Sequence, residues 1–245
     1  MRLQVSTWPE VEDYLKKSTG VIVPIGSTEQ HGPTGLVGTD AIAAEEIAWE
    51  AGKRANILIA PTFNVGSAQH HMAFPGTMTL RPSTMIAALS DWVLSLAHHG
   101  FTRIYFINGH GGNTAPIATA FADIYARRSL DSTSERFRMM QRNWYELPDV
   151  EKLDAELYPV GGGSHVTAGE VSVTFAAYPE KEDTRELDPK IAPTGVITDK
   201  HHYREQFPDG RIGSDPSQSR AEHGRRLIDV AADNLASEAK AFFAS

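Results

Sequence analysis

The sequence of 245 residues contains no cysteine. This absence excludes disulfide bonds, thiolate catalysis and zinc sites with cysteine ligands. Long apolar runs are missing too, because charged residues interrupt every stretch before the roughly 18 apolar residues that a membrane span needs. No P-loop and no G-x-G-x-x-G segment follows a predicted strand, which argues against those nucleotide-binding motifs. Because cysteine is absent, any metal ion must bind to histidine, aspartate or glutamate side chains.

An excess of basic residues is also absent, since the formal net charge is −8. A surface without a general basic patch disfavours nucleic acid and anionic membranes as partners, so a small-molecule substrate is expected. The hydrophobic content of 41% and the charged content of 22% are typical of a globular protein with a buried core. We predict a single cytoplasmic domain over residues 1–245.

Apolar β-branched runs alternate with amphipathic stretches along most of the chain. Strands are predicted at 20–27, 56–66, 101–108 and 134–144, the last one less buried because of its charges. Helices are predicted at 6–17, 39–55, 83–100, 113–129, within 158–180 and at 219–243, while 180–218 is expected to be irregular. This alternation predicts an α/β fold with a mostly parallel sheet covered by helices on both faces.

Acidic and imidazole side chains follow two of the predicted strands. In "PIGSTEQHGPTGLVGTD", Glu29 and His31 stand two residues apart, so an extended backbone points them to the same side. The glycines and prolines that follow make tight turns, which can bring Asp40 back to the same edge of the sheet. His110 in "FINGHGGNT" follows the third strand, and ligands of such folds bind at the carboxyl ends of strands.

Two carboxylates and two imidazoles suit Zn²⁺, Mn²⁺ or a mixed pair, with Asp40 able to bridge two ions. A bridged pair about 3.5–4 Å apart would hold a water molecule and lower its pKa. Simpler interpretations stay open: Asp40 can be a helix N-cap, and Glu29, His31 and His110 can be ordinary loop residues. The glycines around His110 can form a backbone anion nest, and Asn113 can cap the helix beginning near Thr114.

Four segments, "PIGSTEQHGPTGLVGTD", "FPGTMTL", "NGHGGN" and "AGEVSVT", together resemble the creatininase (creatinine amidohydrolase) family over roughly residues 20–179. The resemblance implies a three-layer α/β/α sandwich, a binuclear centre of two divalent ions, Zn and/or Mn, and a homohexamer. It also implies hydrolysis of carbon–nitrogen bonds in non-peptide amides. Metal ligation is implied for Glu29, His31, Asp40 and His110, with Asp40 as the bridge.

The sequence departs from creatininase itself at several site positions. Gly112 stands where creatininase has a metal-binding glutamate, so Glu170 of "TAGE" is expected to be the fifth ligand. Thr167 replaces a family histidine, and His165, two residues earlier, is expected to take its place as a proton shuttle, a role that suits imidazole. Gly111 replaces a tyrosine beside the substrate of creatininase, which disfavours creatinine as the substrate.

Other aromatic and imidazole residues receive simpler interpretations. His70 and His71 line the entrance of the site or belong to a surface loop, and Trp144 is expected to pack in the core. The predicted function is hydrolysis of a cyclic amide or formamide, with His165 or Glu170 relaying the proton. Alternatives are hydrolysis of a lactone or ring ketone, a metal-dependent isomerase or lyase, and a non-catalytic binding module. The sequence also looks similar to deformylases of pyrimidine precursors and to peptide-trimming maturases.

Overall fold

The computed structural model describes residues 1–132 and 136–244. The strands are β1 (Gly20–Ile25), β2 (Leu58–Ile59), β3 (Arg103–Asn108) and β4 (Arg138–Asn143). The helices are α1 (Trp8–Leu15), α2 (Thr39–Ala55), α3 (Pro82–His98), α4 (Thr114–Ser129), α5 (Pro148–Leu157), α6 (Ala168–Ala177), α7 (Lys200–Gln206) and α8 (Ala221–Ala244). Among the helices described, none is long and apolar enough to cross a membrane.

The four strands form one parallel sheet in the order β2-β1-β3-β4. The chain leaves β1 towards β2 on one side and later returns to β3 on the other side of β1. This reversal makes the boundary between β1 and β3 a topological switch point, where open α/β sheets bind their ligands. Along this boundary Ile25 pairs with Asn108, so the two strands end at the same level.

Two hydrophobic cores lie on opposite faces of the sheet. Residues of β1 alternate between them, with Ile22 in one core and Val21 and Val23 in the other. The first core contains residues of α2, α5, α6 and α8, and the second contains residues of α3 and α4. The predicted three-layer α/β/α sandwich is therefore confirmed, with the sheet as its middle layer.

Several predicted elements differ from those observed. Strand β2 is only two residues long, because the chain leaves the ladder before Pro61 and rejoins β1 only at an isolated bridge between Ile25 and Phe63. The loop-rich region after residue 145 contains α5, and the region 180–218, predicted to be irregular, contains α7. Strand β4 is only partly buried, as predicted; the predicted start at 134 lies outside the described residues.

Candidate metal centre

The loops after β1 and β3 bring four of the predicted side chains together. Gly109 packs so closely against the backbone of Asp40 that no Cβ would fit between them, which joins the end of β3 to the first turn of α2. Helix α2 begins at Thr39, so Asp40 lies inside the helix and is not its N-cap. In the loop after β1, His31 Nδ1 contacts the Glu29 backbone oxygen at 3.1 Å, which orients the ring.

Asp40 lies between two histidine rings. Its Oδ1 is 3.1 Å from His31 Nε2, and its Oδ2 is 3.2 Å from His110 Nδ1. Glu29 Oε2 is 3.3 Å from His110 Nε2, and Glu170 Oε1 is 4.0 Å from His31 Nε2. The side chains of Glu29 and Asp40 are buried, with residue exposures of 0% and 3%. All five residues predicted as metal ligands therefore meet in one cluster.

Several polar atoms of this cluster are buried without a hydrogen bond. They are both carboxylate oxygens of Glu29, Oδ2 of Asp40 and Nε2 of His31. Buried polar atoms without partners are costly, and buried charges in proteins are normally paired or bound to metal ions. The donor set of carboxylate oxygens and imidazole nitrogens is one that Zn²⁺ and Mn²⁺ accept. The residues present therefore fit a metal centre.

Three groups of side chains lie close enough to hold an ion, with ligand atoms within 4.8 Å of one another. The groups are Glu29 with Asp40 and His110, His31 with Asp40 and Glu170, and Glu29 with His31 and His165. Asp40 belongs to the first two groups, and its two oxygens face different histidines. Asp40 is therefore shared between two candidate ligand groups.

The protonation behaviour of the cluster reflects its burial and its carboxylates. Burial opposes a charge on His31 and His110, but nearby carboxylates, chiefly Asp40 for His31 and Glu29 for His110, raise their pKa values to about 10 and about 9. Burial also opposes ionisation of Asp40, yet the charge of His31 keeps the pKa of Asp40 low. Positive charge thus balances the carboxylates, and a bound cation would supply the same charge.

Glu170 and Thr167 together form the start of α6. The Thr167 backbone N–H donates to Glu170 Oε1 at 2.7 Å, and the Glu170 backbone N–H donates to Thr167 Oγ1 at 3.2 Å. This capping box fixes the Glu170 carboxylate beside His31, although burial raises its pKa to about 7. Glu170 is therefore not a solvated helix residue, and the threonine that replaces the family histidine has a structural task of its own.

His165 reaches the centre from the loop before α6. Its Nδ1 is 4.0 Å from Glu29 Oε1, and its Nε2 is 3.0 Å from the backbone oxygen of Gln30. Burial, followed by the charge of His31, holds the pKa of His165 well below its usual value. The next residue, Val166, has a φ of +58°, a left-handed conformation that is rare for a β-branched side chain and costs about 1–3 kcal/mol.

The family model for creatininase, described as creatinine amidohydrolase, matches residues 4–238 of the chain. The chain belongs to the creatininase family. Creatinine amidohydrolase of Pseudomonas putida is 25% identical to it over 243 residues, which cover 94% of this chain and 92% of that protein. A solved structure of a creatininase variant with creatine superimposes with a TM-score of 0.86 at 22% identity, covering 97% and 96% of the two chains.

Other relatives of the chain carry names that indicate different substrates. The 3-dehydro-scyllo-inosose hydrolase of Thermotoga maritima is 28% identical over 203 residues, which cover 79% of this chain and 63% of that protein. The mycofactocin precursor peptide peptidase of Mycolicibacterium smegmatis is 36% identical over 108 residues, covering 42% and 43%. The comparisons support a creatininase-family hydrolase with a candidate metal site, while the names of its relatives span several substrates.

The departures from creatininase have physical reasons in this chain. A Cβ at Gly112 would collide with the His110 ring and the Ser67 backbone oxygen, so no metal-binding side chain fits there. At Gly111 a Cβ would make an ordinary van der Waals contact with the hydroxyl of Tyr145, 3.4 Å away. Neither glycine has a positive φ, which argues against a backbone anion nest.

Some site residues differ from their predicted interpretation. Asn113 precedes α4 but makes no capping bond; its side chain instead donates to Gly26 O and accepts from Ser67 N. His71 is buried beside Glu29, so the surface-loop interpretation of this residue is wrong. Trp144 is buried in the core, as predicted, at the edge of the cavity. The sequence analysis predicted no role for Gln30 or Tyr145, because nothing in the segments around them pointed to these two residues.

Proposed function

We propose that the chain uses two divalent metal ions to hydrolyse a carbon–nitrogen bond in a cyclic amide or formamide. The observation that carries this proposal is the position of Asp40, which belongs to two ligand groups. Glu29, Asp40 and His110 would hold one ion, and His31, Asp40 and Glu170 would hold the other. Bound Zn²⁺ or Mn²⁺ supplies Lewis acidity, which activates water and polarises a carbonyl group.

His165 is proposed as the proton shuttle. Its Nε2 lies between the Gln30 backbone oxygen, 3.0 Å away, and the Gln30 side-chain nitrogen, 2.9 Å away; donation to the backbone oxygen would leave Nδ1 free to accept a proton. Its Nδ1 lies on the Glu29 side and would take a proton from water and return it to the leaving nitrogen. Glu170 is bound in the capping box, which suits a ligand better than a mobile proton carrier.

The cavity at the centre supports a small-molecule substrate. It has a volume of about 910 Å³, and Trp144, Tyr145 and Tyr158 contribute aromatic surface to its wall. Six carboxylates line it, namely Glu29, Asp40, Glu146, Glu151, Asp154 and Glu170, while no lysine or arginine among the described residues does. Glu29, Asp40 and Glu170 would be neutralised by the ions they hold, but Glu146, Glu151 and Asp154 keep the rest of the wall acidic, so a substrate without a carboxylate or phosphate beyond its reacting group is favoured.

A second candidate is hydrolysis of a ring ketone or lactone of a sugar or inositol. The same carboxylate-rich wall offers many hydrogen-bond acceptors for hydroxyl groups, and a relative that covers 79% of the chain is an inosose hydrolase. A peptide substrate is supported only by relatives that match less than half of the chain, such as one covering 42%. Assembly as a homohexamer and a cytoplasmic location remain predictions.

Metal analysis tests the proposal before any substrate is known. Freshly purified protein is expected to contain two zinc or manganese ions per chain, and a protein that neither holds nor binds metal would be a binding module. Cyclic amides, formamides, lactones and inosose-like ketones are then screened with Zn²⁺ or Mn²⁺ added. Uptake of oxygen from isotope-labelled water separates hydrolysis from isomerase or lyase chemistry.

A further inference from the structure

His71 contacts two of the groups to which the proposed function gives roles. Only 2% of the residue is exposed, and its Nε2 lies 3.1 Å from Glu29 Oε1. Its ring stacks on the ring of His165, with the two centroids 4.5 Å apart. Neither the ligand groups around Asp40 nor the proton shuttle uses this residue. His71 therefore lies between the proposed ligand Glu29 and the proposed proton shuttle His165 without an assigned role.

The Gln30 side chain determines which nitrogen of His71 carries the proton. The backbone N–H of Gly32 donates to Gln30 Oε1 at 2.8 Å, which fixes the orientation of the amide. Gln30 Nε2 cannot accept a hydrogen bond; it lies 2.9 Å from His71 Nδ1 and also faces His165 Nε2, Tyr203 Oη and Gly210 O, so a proton on His71 Nδ1 would point at a group that cannot accept it. His71 Nδ1 is therefore an acceptor, and the proton of the neutral ring is on Nε2.

A protonated Nε2 has no lone pair for a metal ion, so this tautomer makes His71 a donor and not a ligand. A carboxylate only accepts, and Glu29 Oε1 lies 3.1 Å from Nε2, within donor–acceptor reach, although the two groups are not aligned as a hydrogen bond in this structure. We propose that His71 is a positioning residue: a small turn of its ring brings Nε2–H onto Glu29 Oε1, which has no other donor, and holds that carboxylate ready for its ion. This inference rests on the proposed metal centre.

Zn²⁺ binding measures this role without any substrate. Loss of a hydrogen-bond partner of a ligand typically weakens metal affinity by about 10–100-fold. His71→Phe keeps a ring but removes the donor, so one Zn²⁺ is expected to bind about 10–100-fold more weakly in competition with a chromophoric chelator. His71→Gln places an amide N–H near the former Nε2 and is expected to restore affinity to within about threefold of wild type.

His70→Phe is the matched control. His70 adjoins His71 in the same turn and its ring lies 4.1 Å from that of His71, yet it makes no ion-pair contact with the ligand carboxylates. It should leave Zn²⁺ affinity within about threefold of wild type. Unchanged affinity in His71→Phe would overturn the inference. So would a loss in His71→Gln as large as that in His71→Phe, since the donor would then not be what matters.

A second variant covers the case in which His71→Phe does not fold. Gln30→Met keeps the length of the side chain but frees the His71 tautomer, and a smaller loss of affinity, up to about tenfold, is expected. No loss in Gln30→Met would contradict the inference. Wild-type protein that binds no Zn²⁺ at all would refute the metal centre itself, which is a different result from a selective loss in the variants.

Discussion

The candidate site has two halves that are held in place in different ways. The strand-end half consists of Glu29, His31, Asp40 and His110, and it is attached to paired strands and to the first turn of α2. The loop half contains His165 in the loop before α6, Glu170 in the first turn of α6, and Tyr145 in the turn that follows β4, and these residues line the same cavity. The comparison teaches that the sheet positions most of the metal ligands, while long-range loop packing positions the proton shuttle and the substrate wall.

The loop half is anchored by one buried guanidinium group. Arg211 is fully buried and donates to the backbone oxygens of Pro189, Lys190 and Ser214 as well as to the Asp209 carboxylate. The segment after it is tied to His165, whose backbone oxygen accepts from Ser214 Oγ at 2.7 Å. The two halves should therefore respond differently to substitution, with metal loss in one and lost turnover in the other.

The largest effect is expected in the strand-end half. Asp40→Asn keeps the shape of the side chain but removes the charge that both proposed ligand groups share. We expect the metal content to fall from two ions per chain to one or none, with no detectable turnover and an intact fold by circular dichroism. His31→Ala should likewise abolish turnover. Asp91→Asn, an exposed substitution on α3, is the control. Full activity in both site variants would remove the basis for the centre.

His165→Gln tests the loop half next. The amide keeps a donor for the Gln30 backbone oxygen but cannot carry a proton, so kcat should fall by about 10²–10⁴-fold. Elemental analysis should still find the wild-type number of ions, unlike in the Asp40 variant. His98→Gln, at the exposed end of α3, is the control. If one ion were lost instead, His165 would be a ligand in the group with Glu29 and His31.

Arg211→Met tests whether the loop half can be destabilised while the strand-end half still binds metal. Its loss leaves several backbone oxygens and Asp209 without their donor, and removing one member of a buried charge pair costs about 3–5 kcal/mol. Denaturant unfolding should show this loss, and misplacement of the loop half should lower kcat by about 10²-fold. Zn²⁺ binding to Glu29, Asp40 and His110 should persist in the folded variant. Arg225→Met, on the exposed side of α8, is the control; equal stability of the two variants would contradict the anchor.

The same division explains how far the sequence predicts the site. The spacing of Glu29 and His31 and the position of His110 after β3 are local, and the alternation of elements predicts where parallel strands end. The place of His71 is not local, because it depends on the loop after β2 folding back, where the Met78 backbone N–H donates to Thr28 O. Helix α5 had start signals in Pro148 and Asp149, but its polar sequence obscured them.

The smallest expected effect concerns Tyr145, on the substrate side of the loop half. Its hydroxyl lies near Gly111 in the cavity wall and has no hydrogen-bond partner among the residues described. Burial raises the pKa of Tyr145, and the charge of Glu146 adds to this effect, so the hydroxyl stays protonated and can donate to a substrate. Tyr145→Phe should lower kcat/KM by about tenfold, the equivalent of one hydrogen bond, without changing the metal content.

Tyr178→Phe, at an exposed site, is the control. Unchanged kcat/KM in Tyr145→Phe on the identified substrate would show that the hydroxyl does not contact it, and this part of the cavity wall would then act by shape alone.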